Sequence, residues 1–96
     1  MKPGYATDKE ALIKRLHRIE GQVRGIERMV EEDRYCIDVL TQIAAVRTAL
    51  EQVGAKLLED HVEHCVAAAL ATRDTGTVHA KTEELLGAVK RFVKTT

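Results

Sequence analysis

Tryptophan is absent from this 96-residue chain, phenylalanine occurs once and tyrosine twice. An interior so poor in aromatics must be built from aliphatic side chains, and a chain of this length has few of them to bury. Hydrophobic residues nevertheless make up 45% of the sequence. Apolar surface that one copy cannot cover is therefore expected to meet a second copy. Proline occurs only at position 3, so no ring interrupts a helix further along. An excess of either charge is also missing, since fifteen Lys and Arg balance fifteen Asp and Glu. Any nucleic-acid binding must then come from a local basic patch rather than from the field of the whole molecule. No apolar run is long enough to span a membrane and no secretory leader is visible, so a cytoplasmic protein without a membrane partner is expected. In that reducing setting Cys36 and Cys65 are expected to be thiols free to bind metal or sense redox state.

What is present is helical periodicity. Residues 1–7, "MKPGYAT", read as a flexible N-terminal arm, and residues 8–96 as a single helical domain, with Thr7 or Asp8 as the first N-cap. Leu12, Leu16, Ile19, Val23, Ile26 and Val30 recur at alternating spacings of four and three. That is a heptad seam, and it predicts a first helix to about residue 32. Gly21 and Gly25 lie inside it, each costing about 1 kcal/mol relative to Ala, and are read as places where a neighbouring helix comes close. After the turn "EEDRY", a second run from Cys36 through Leu58 predicts a helix that continues past His61 and Cys65 towards Ala71. "TRDTGTVH", residues 72–79, has loop composition, and a third helix is predicted over about 79–94. The fold class is all-α, with three helices per protomer.

The second helix carries the candidate metal donors. At about 100° per residue, His61 falls roughly 20° to one side of Cys36 and Cys65 roughly 20° to the other. All three share the stripe of Ile43 and Leu50. At about 1.5 Å per residue, however, Cys36 is roughly 38 Å from His61 along a straight helix. One chain cannot close the triad, and an intrachain disulfide is excluded because bridged Cα atoms lie within about 7 Å. A second copy packed antiparallel about an axis near Ala49 and Leu50 would bring Cys36 of one chain to His61 and Cys65 of the other. Two thiolates and an imidazole form a soft donor set suited to Cu(I), and also to Zn(II) if a fourth ligand is found. The plain alternative is that both cysteines are small buried hydrophobes and His61 a polar residue at a helix end. His64 flanks the stripe and is read as solvent-facing, while His17 and His79 have no thiol near them in sequence.

Helix 1 gathers Lys14, Arg15, Arg18, Arg24 and Arg28 on the side away from its seam. Such a face is either a solvated surface with ion pairs or, if several copies align, a track for a phosphate backbone.

The stretch "RLHRIEGQVRGIERMVEEDRYCIDVLTQIAAVRTALEQVGAKLLEDHVEHCV", residues 15–66, followed by "EELLGAVKRF", resembles the copper-sensitive operon repressor family over nearly the whole chain after the arm. The resemblance implies a three-helix protomer whose helices 1 and 2 form an antiparallel dimeric four-helix bundle, with dimers pairing into a tetramer. It implies operator DNA as partner in the metal-free state and release when Cu(I) binds. Cys36, His61 and Cys65 match the family's copper ligands, split between subunits. Tyr35 and Glu84 match residues that hold the ligand histidine, and Arg15 matches a basic position linked to DNA binding. Lys14, Arg18 and Arg24 are added from the helix face. Over residues 52–56, "QVGAK", only Lys56 is basic.

Related inducers remain open on the same scaffold. Nickel sensors of this type add a histidine near the N-terminus, which "MKPGYAT" lacks. Persulfide sensors lack the histidine that His61 supplies here. Zn(II) sensing and a copper-storing or copper-transferring bundle without DNA function are further alternatives, the last opposed by the face around Arg15. No nucleophile–base pair and no phosphate-binding glycine loop is present, so neither an enzyme nor a small-molecule substrate is expected.

Overall fold

Two long apolar heptads form the first unit, Thr7–Lys56, of the computed structural model, which describes residues 3–93. Helix α1 spans Lys9–Glu31 and α2 spans Cys36–Asp60. Asp8 is the N-cap of α1, and the helix ends within a residue of where the seam stops. Leu12 and Ile19, seven apart on α1, are buried together with Val46 and Val53, seven apart on α2. Burial of such side chains is worth about 1.5–3 kcal/mol each. Near the opposite end from the turn, Lys56 Nζ lies 3.5 Å from Asp8 Oδ2, so the two helices run antiparallel.

The connecting turn is a Schellman motif. Asp33 has φ 56°, and its amide donates to the Val30 carbonyl at 3.1 Å. The Arg34 amide donates to Met29 at 2.9 Å. Both bonds satisfy carbonyls that α1 leaves open at its end. Aspartate tolerates this left-handed position better than most residues other than glycine.

Much of the remaining apolar surface of these two helices is not covered within the chain. Leu16, Val23 and Val30 on α1 and Ile37, Leu40, Ile43 and Leu50 on α2 are all exposed. Gly21 and Gly25 differ from the expectation of a close helix neighbour: a Cβ at either position would meet nothing within 4 Å. Both glycines face open space within the chain, whereas Leu12 and Ile19 are the buried positions of α1.

The second unit joins the N-terminal residues through Ala6 to Leu57 and the residues beyond it. After Asp60 the backbone stays in right-handed helical space, but the hydrogen bonding widens to a π-helix over His61–Val66. It narrows again to α3, Ala67–Ala71. The sequence predicts continued helix here and does not distinguish the π turn. A short turn at residues 72–74 leads into α4, Thr75–Val93, which packs on both α3 and the π turn. The predicted loop over 72–79 is thus much too long. Asp74 starts the helix early: its carboxylate accepts bonds from the Thr77 amide and hydroxyl, and its carbonyl accepts from the Val78 amide at 3.0 Å. That is N-capping by a residue type suited to it. Among the described residues there is no strand, and no helix is long and apolar enough to cross a membrane.

Candidate metal centre and basic face

Cys36 opens α2 and is exposed. Tyr35 precedes it, and its carbonyl takes the first amides of the helix, from Asp38 at 3.1 Å and Val39 at 3.2 Å. The Tyr35 ring is left 68% exposed, in contact with solvent rather than with a core.

His61 and Cys65 both lie in the π turn, with their side chains half-buried. In α- and π-helical geometry alike, residues four apart lie on neighbouring parts of one face, so the imidazole and the thiol share a side of the turn. His61 Nε2 is 3.9 Å from Glu84 Oε1, and Lys81 Nζ lies 3.7 Å from the same oxygen. Glu84 belongs to α4, so this carboxylate brings α4 to the imidazole. With Nε2 turned towards Glu84, Nδ1 is the ring nitrogen left for a metal, and Glu84 is a suitable acceptor for the proton that Nε2 then carries. Such an arrangement fits a soft ion that takes a thiolate and an imidazole. The N-terminal segment comes close as well: a Cβ placed on Gly4 would lie 3.2 Å from Cys65 Sγ and 2.6 Å from the Asp60 carbonyl oxygen.

A second group of donors escaped the sequence reasoning. Asp60, Glu63 and His64 each bring one ligand atom to within 4.8 Å of the others. Asp60 is 1% exposed, whereas Glu63 and His64 are exposed, so His64 faces solvent as its place beside the stripe suggested. The signal was available in "DHVEH", where spacings of three and four put the three residues on one helix face. Exposed acidic groups gather in this way without an ion, and the cluster by itself defines no site.

On α1, Lys14, Arg15, Arg18 and Arg24 are all exposed. Arg24 differs from the others, because its guanidinium pairs with the Glu20 carboxylate one turn earlier. No ion pair engages Lys14, Arg15 or Arg18 among the described residues. Arg24 thus offers a partly neutralised charge beside these three cations. The Glu20–Arg24 pair was readable from its i, i+4 spacing.

The chain as a whole is similar to known proteins. The model of the family described as metal-sensitive transcriptional repressor matches residues 8–91. The copper-sensing transcriptional repressor RicR of Mycobacterium tuberculosis is 52% identical over 91 residues, covering 95% of this chain and 94% of RicR. The copper-sensing transcriptional repressor CsoR of Bacillus subtilis is 51% identical over 87 residues, covering 91% of this chain and 83% of that protein. Among solved structures, CsoR with Cu(I) from Geobacillus thermodenitrificans NG80-2 superposes with a TM-score of 0.85 at 49% identity, covering 96% of this chain and 93% of the other. The nickel-responsive regulator InrS gives 0.74 at 43% identity, covering 88% and 91%. The all-α architecture, the family expected from residues 15–66 and the reading as a regulator rather than an enzyme all agree with these matches, and the chain belongs to the metal-sensitive transcriptional repressors.

Proposed function

We propose that the protein is a cytoplasmic, Cu(I)-sensing transcriptional repressor, which holds operator DNA when metal-free and leaves it when Cu(I) binds. Derepression of copper-resistance or efflux genes follows from that release. The observation that carries the reading is the approach of Glu84 to His61, 3.9 Å between Oε1 and Nε2. It joins one candidate ligand to a different helix, as a metal-operated switch requires. Cu(I) would supply soft Lewis acidity for two thiolates and one imidazole.

The residues of the chain do the rest. Cys36 serves one subunit's half of a site, and His61 with Cys65 serves the other's, because α2 runs 25 residues from Cys36 to Asp60 before His61 is reached. The exposed stripe of Ile43 and Leu50 is the surface that an antiparallel second copy covers in the dimer, and two dimers pair into a tetramer. Glu84 accepts the proton on Nε2 of a ligated His61 and draws α4 towards the centre, and Tyr35 supports the same imidazole from beside Cys36. A ligand shifts a conformational equilibrium only by its preference for one state, and this bond supplies such a preference. Lys14, Arg15 and Arg18, with a smaller share from Arg24, neutralise operator phosphates.

The nearness of InrS raises Ni(II) as an inducer, but residues 1–7 offer no imidazole, which leaves the donor set soft and short of nitrogen. Operator binding titrated in parallel with Cu(I), Zn(II), Ni(II) and persulfide tests the proposal. Release at the lowest free concentration by Cu(I) is expected; release by another inducer with Cu(I) inert would overturn it.

A further inference from the structure

Residues 3–6 form a turn in which the Ala6 amide donates to the Pro3 carbonyl at 3.1 Å. Gly4 sits in this turn, close to Asp60 and Cys65 of the same unit. A Cβ on Gly4 would lie 2.6 Å from the Asp60 carbonyl oxygen, 3.0 Å from its carbonyl carbon and 3.2 Å from Cys65 Sγ. No glycine among the described residues has positive φ, so the backbone conformation of Gly4 does not itself call for glycine. Space does. The nearest obstacle is main chain at the entrance to the π turn, which cannot swing aside as the end of a side chain could. Gly4 is therefore the residue whose missing side chain lets the N-terminal turn seat on the Cys65 sulfur.

We propose that Gly4 is a specificity-determining residue of the metal centre: its bare α-carbon occupies one direction of approach to Cys65 Sγ and keeps water and additional donors from it. The inference rests on the reading of Cys65 as a metal ligand. A sulfur with fewer open directions suits a soft monovalent ion content with two or three ligands. It disfavours Zn(II), which completes a four-coordinate shell with a further donor or water. The thiol itself remains in place when the turn is lifted, so affinity for the two metals changes unequally. Gly4 is thus a positioning residue for the turn and acts on the metal through Cys65.

Alkylation of the metal-free, full-length protein by iodoacetamide reads the covering directly, since thiol reactivity depends on access. Rates at Cys65 and Cys36 are measured separately by peptide mass spectrometry, and their ratio cancels general loosening. Gly4→Ala is expected to raise the Cys65:Cys36 ratio several-fold. Gly76→Ala, whose new Cβ would make only an ordinary 3.9 Å contact with Asp74 Oδ1, is expected to leave it unchanged. If Gly4→Ala does not fold, Pro3→Gly, which loosens the turn and keeps Gly4, is expected to give the same rise. An unchanged ratio in the folded variant overturns the proposal. Competition between Cu(I) and Zn(II) then reads specificity, and a several-fold fall in the preference for Cu(I) is expected. A raised alkylation ratio with an unchanged metal preference also overturns the specificity role. If Cys65→Ala binds Cu(I) as tightly as the parent, it is the ligand reading that fails, and the alkylation ratio still reports on the turn.

Discussion

His61 Nε2 and Glu84 Oε1 lie 3.9 Å apart, from the π turn to α4, and Lys81 Nζ is 3.7 Å from the same carboxylate oxygen. Glu84 thus has a choice between a lysine on its own helix and an imidazole on another. If His61 held a metal through Nδ1, its Nε2 would carry a proton that Glu84 could accept alongside its contact with Lys81. Glu84→Gln and Glu84→Ala are expected to keep tight Cu(I) binding, because Glu84 supplies no donor atom to the metal, yet to stay on the operator at copper levels that release the parent. Fluorescence anisotropy of labelled operator at saturating Cu(I), beside a competition measurement of copper affinity, separates the two properties. Full release by a variant with parental affinity would remove Glu84 from the switch.

A site shared between subunits is tested by mixing. Combining a Cys36→Ser chain with a Cys65→Ser chain gives a heterodimer in which one site loses both thiolates and the other keeps its full donor set. One strong Cu(I) site per heterodimer is expected, against none in either variant homodimer. Heterodimers that form and never recover that site would exclude the shared arrangement.

Charge on α1 gives a graded expectation. Each operator phosphate that a substitution leaves without its cation lowers the log–log salt slope of binding by about one. Lys14→Ala, Arg15→Ala and Arg18→Ala are each expected to do so without changing copper affinity. Arg24→Ala is expected to change the slope less, because Glu20 already pairs with Arg24. Equal slopes in the parent and the Arg15→Ala/Arg18→Ala double variant would move the DNA contact to another face.

The turn between α3 and α4 offers two stability tests. Arg73 sits at φ 57°, a left-handed position that costs an ordinary residue about 1–2 kcal/mol and glycine almost nothing. Arg73→Gly is expected to raise stability by about 1 kcal/mol, or about 4–8 °C in Tm for a chain of this size. Next to it, bonds from the Thr77 hydroxyl and amide hold the Asp74 carboxyl below its ordinary value of 3.8. A carboxyl with a lowered pKa in the folded state contributes stability above its unfolded pKa, and that contribution fades as pH falls through the folded one. Asp74→Ala is therefore expected to melt lower than the parent at pH 7, with the gap closing as the pH is taken below 3.8. A gap that persists undiminished in acid would assign the effect to something other than the ionised cap.

Much of the fold was legible because heptads leave a strong trace. Leu12, Ile19, Val46 and Val53 repeat at sevens, and the α1 boundaries follow from that seam and from Asp8. The π turn was not legible, since "HVEHCV" satisfies an α pattern equally well and the two differ only in which carbonyl each amide chooses. Residues 72–79 were misread because Thr, Asp and Gly count as loop formers by composition, while the position of Asp74 three residues before Thr77 makes it a cap. Gly21 and Gly25 suggested a close helix that the chain does not provide. Gly4, by contrast, leaves no local trace in the arm, because its contact with Asp60 and Cys65 joins residues far apart in sequence. Spacing displayed the candidate donors Cys36, His61 and Cys65 as one stripe, and the place of Glu84 beside His61 came from family resemblance rather than from any local pattern.

The central claim is that filling the Cys36, His61 and Cys65 donor set with Cu(I) takes the protein off DNA. Its most direct test is a single titration of the operator-bound protein with Cu(I), following operator anisotropy and thiolate-to-metal ultraviolet absorption together. The expected result is that both signals change in step and level off at one Cu(I) per chain, and that Cys36→Ser, His61→Ala and Cys65→Ser each leave the DNA bound at that point. Release of operator by Cu(I) in a variant lacking both thiols, or saturation of the thiolate signal with the operator still held by the parent, would contradict it.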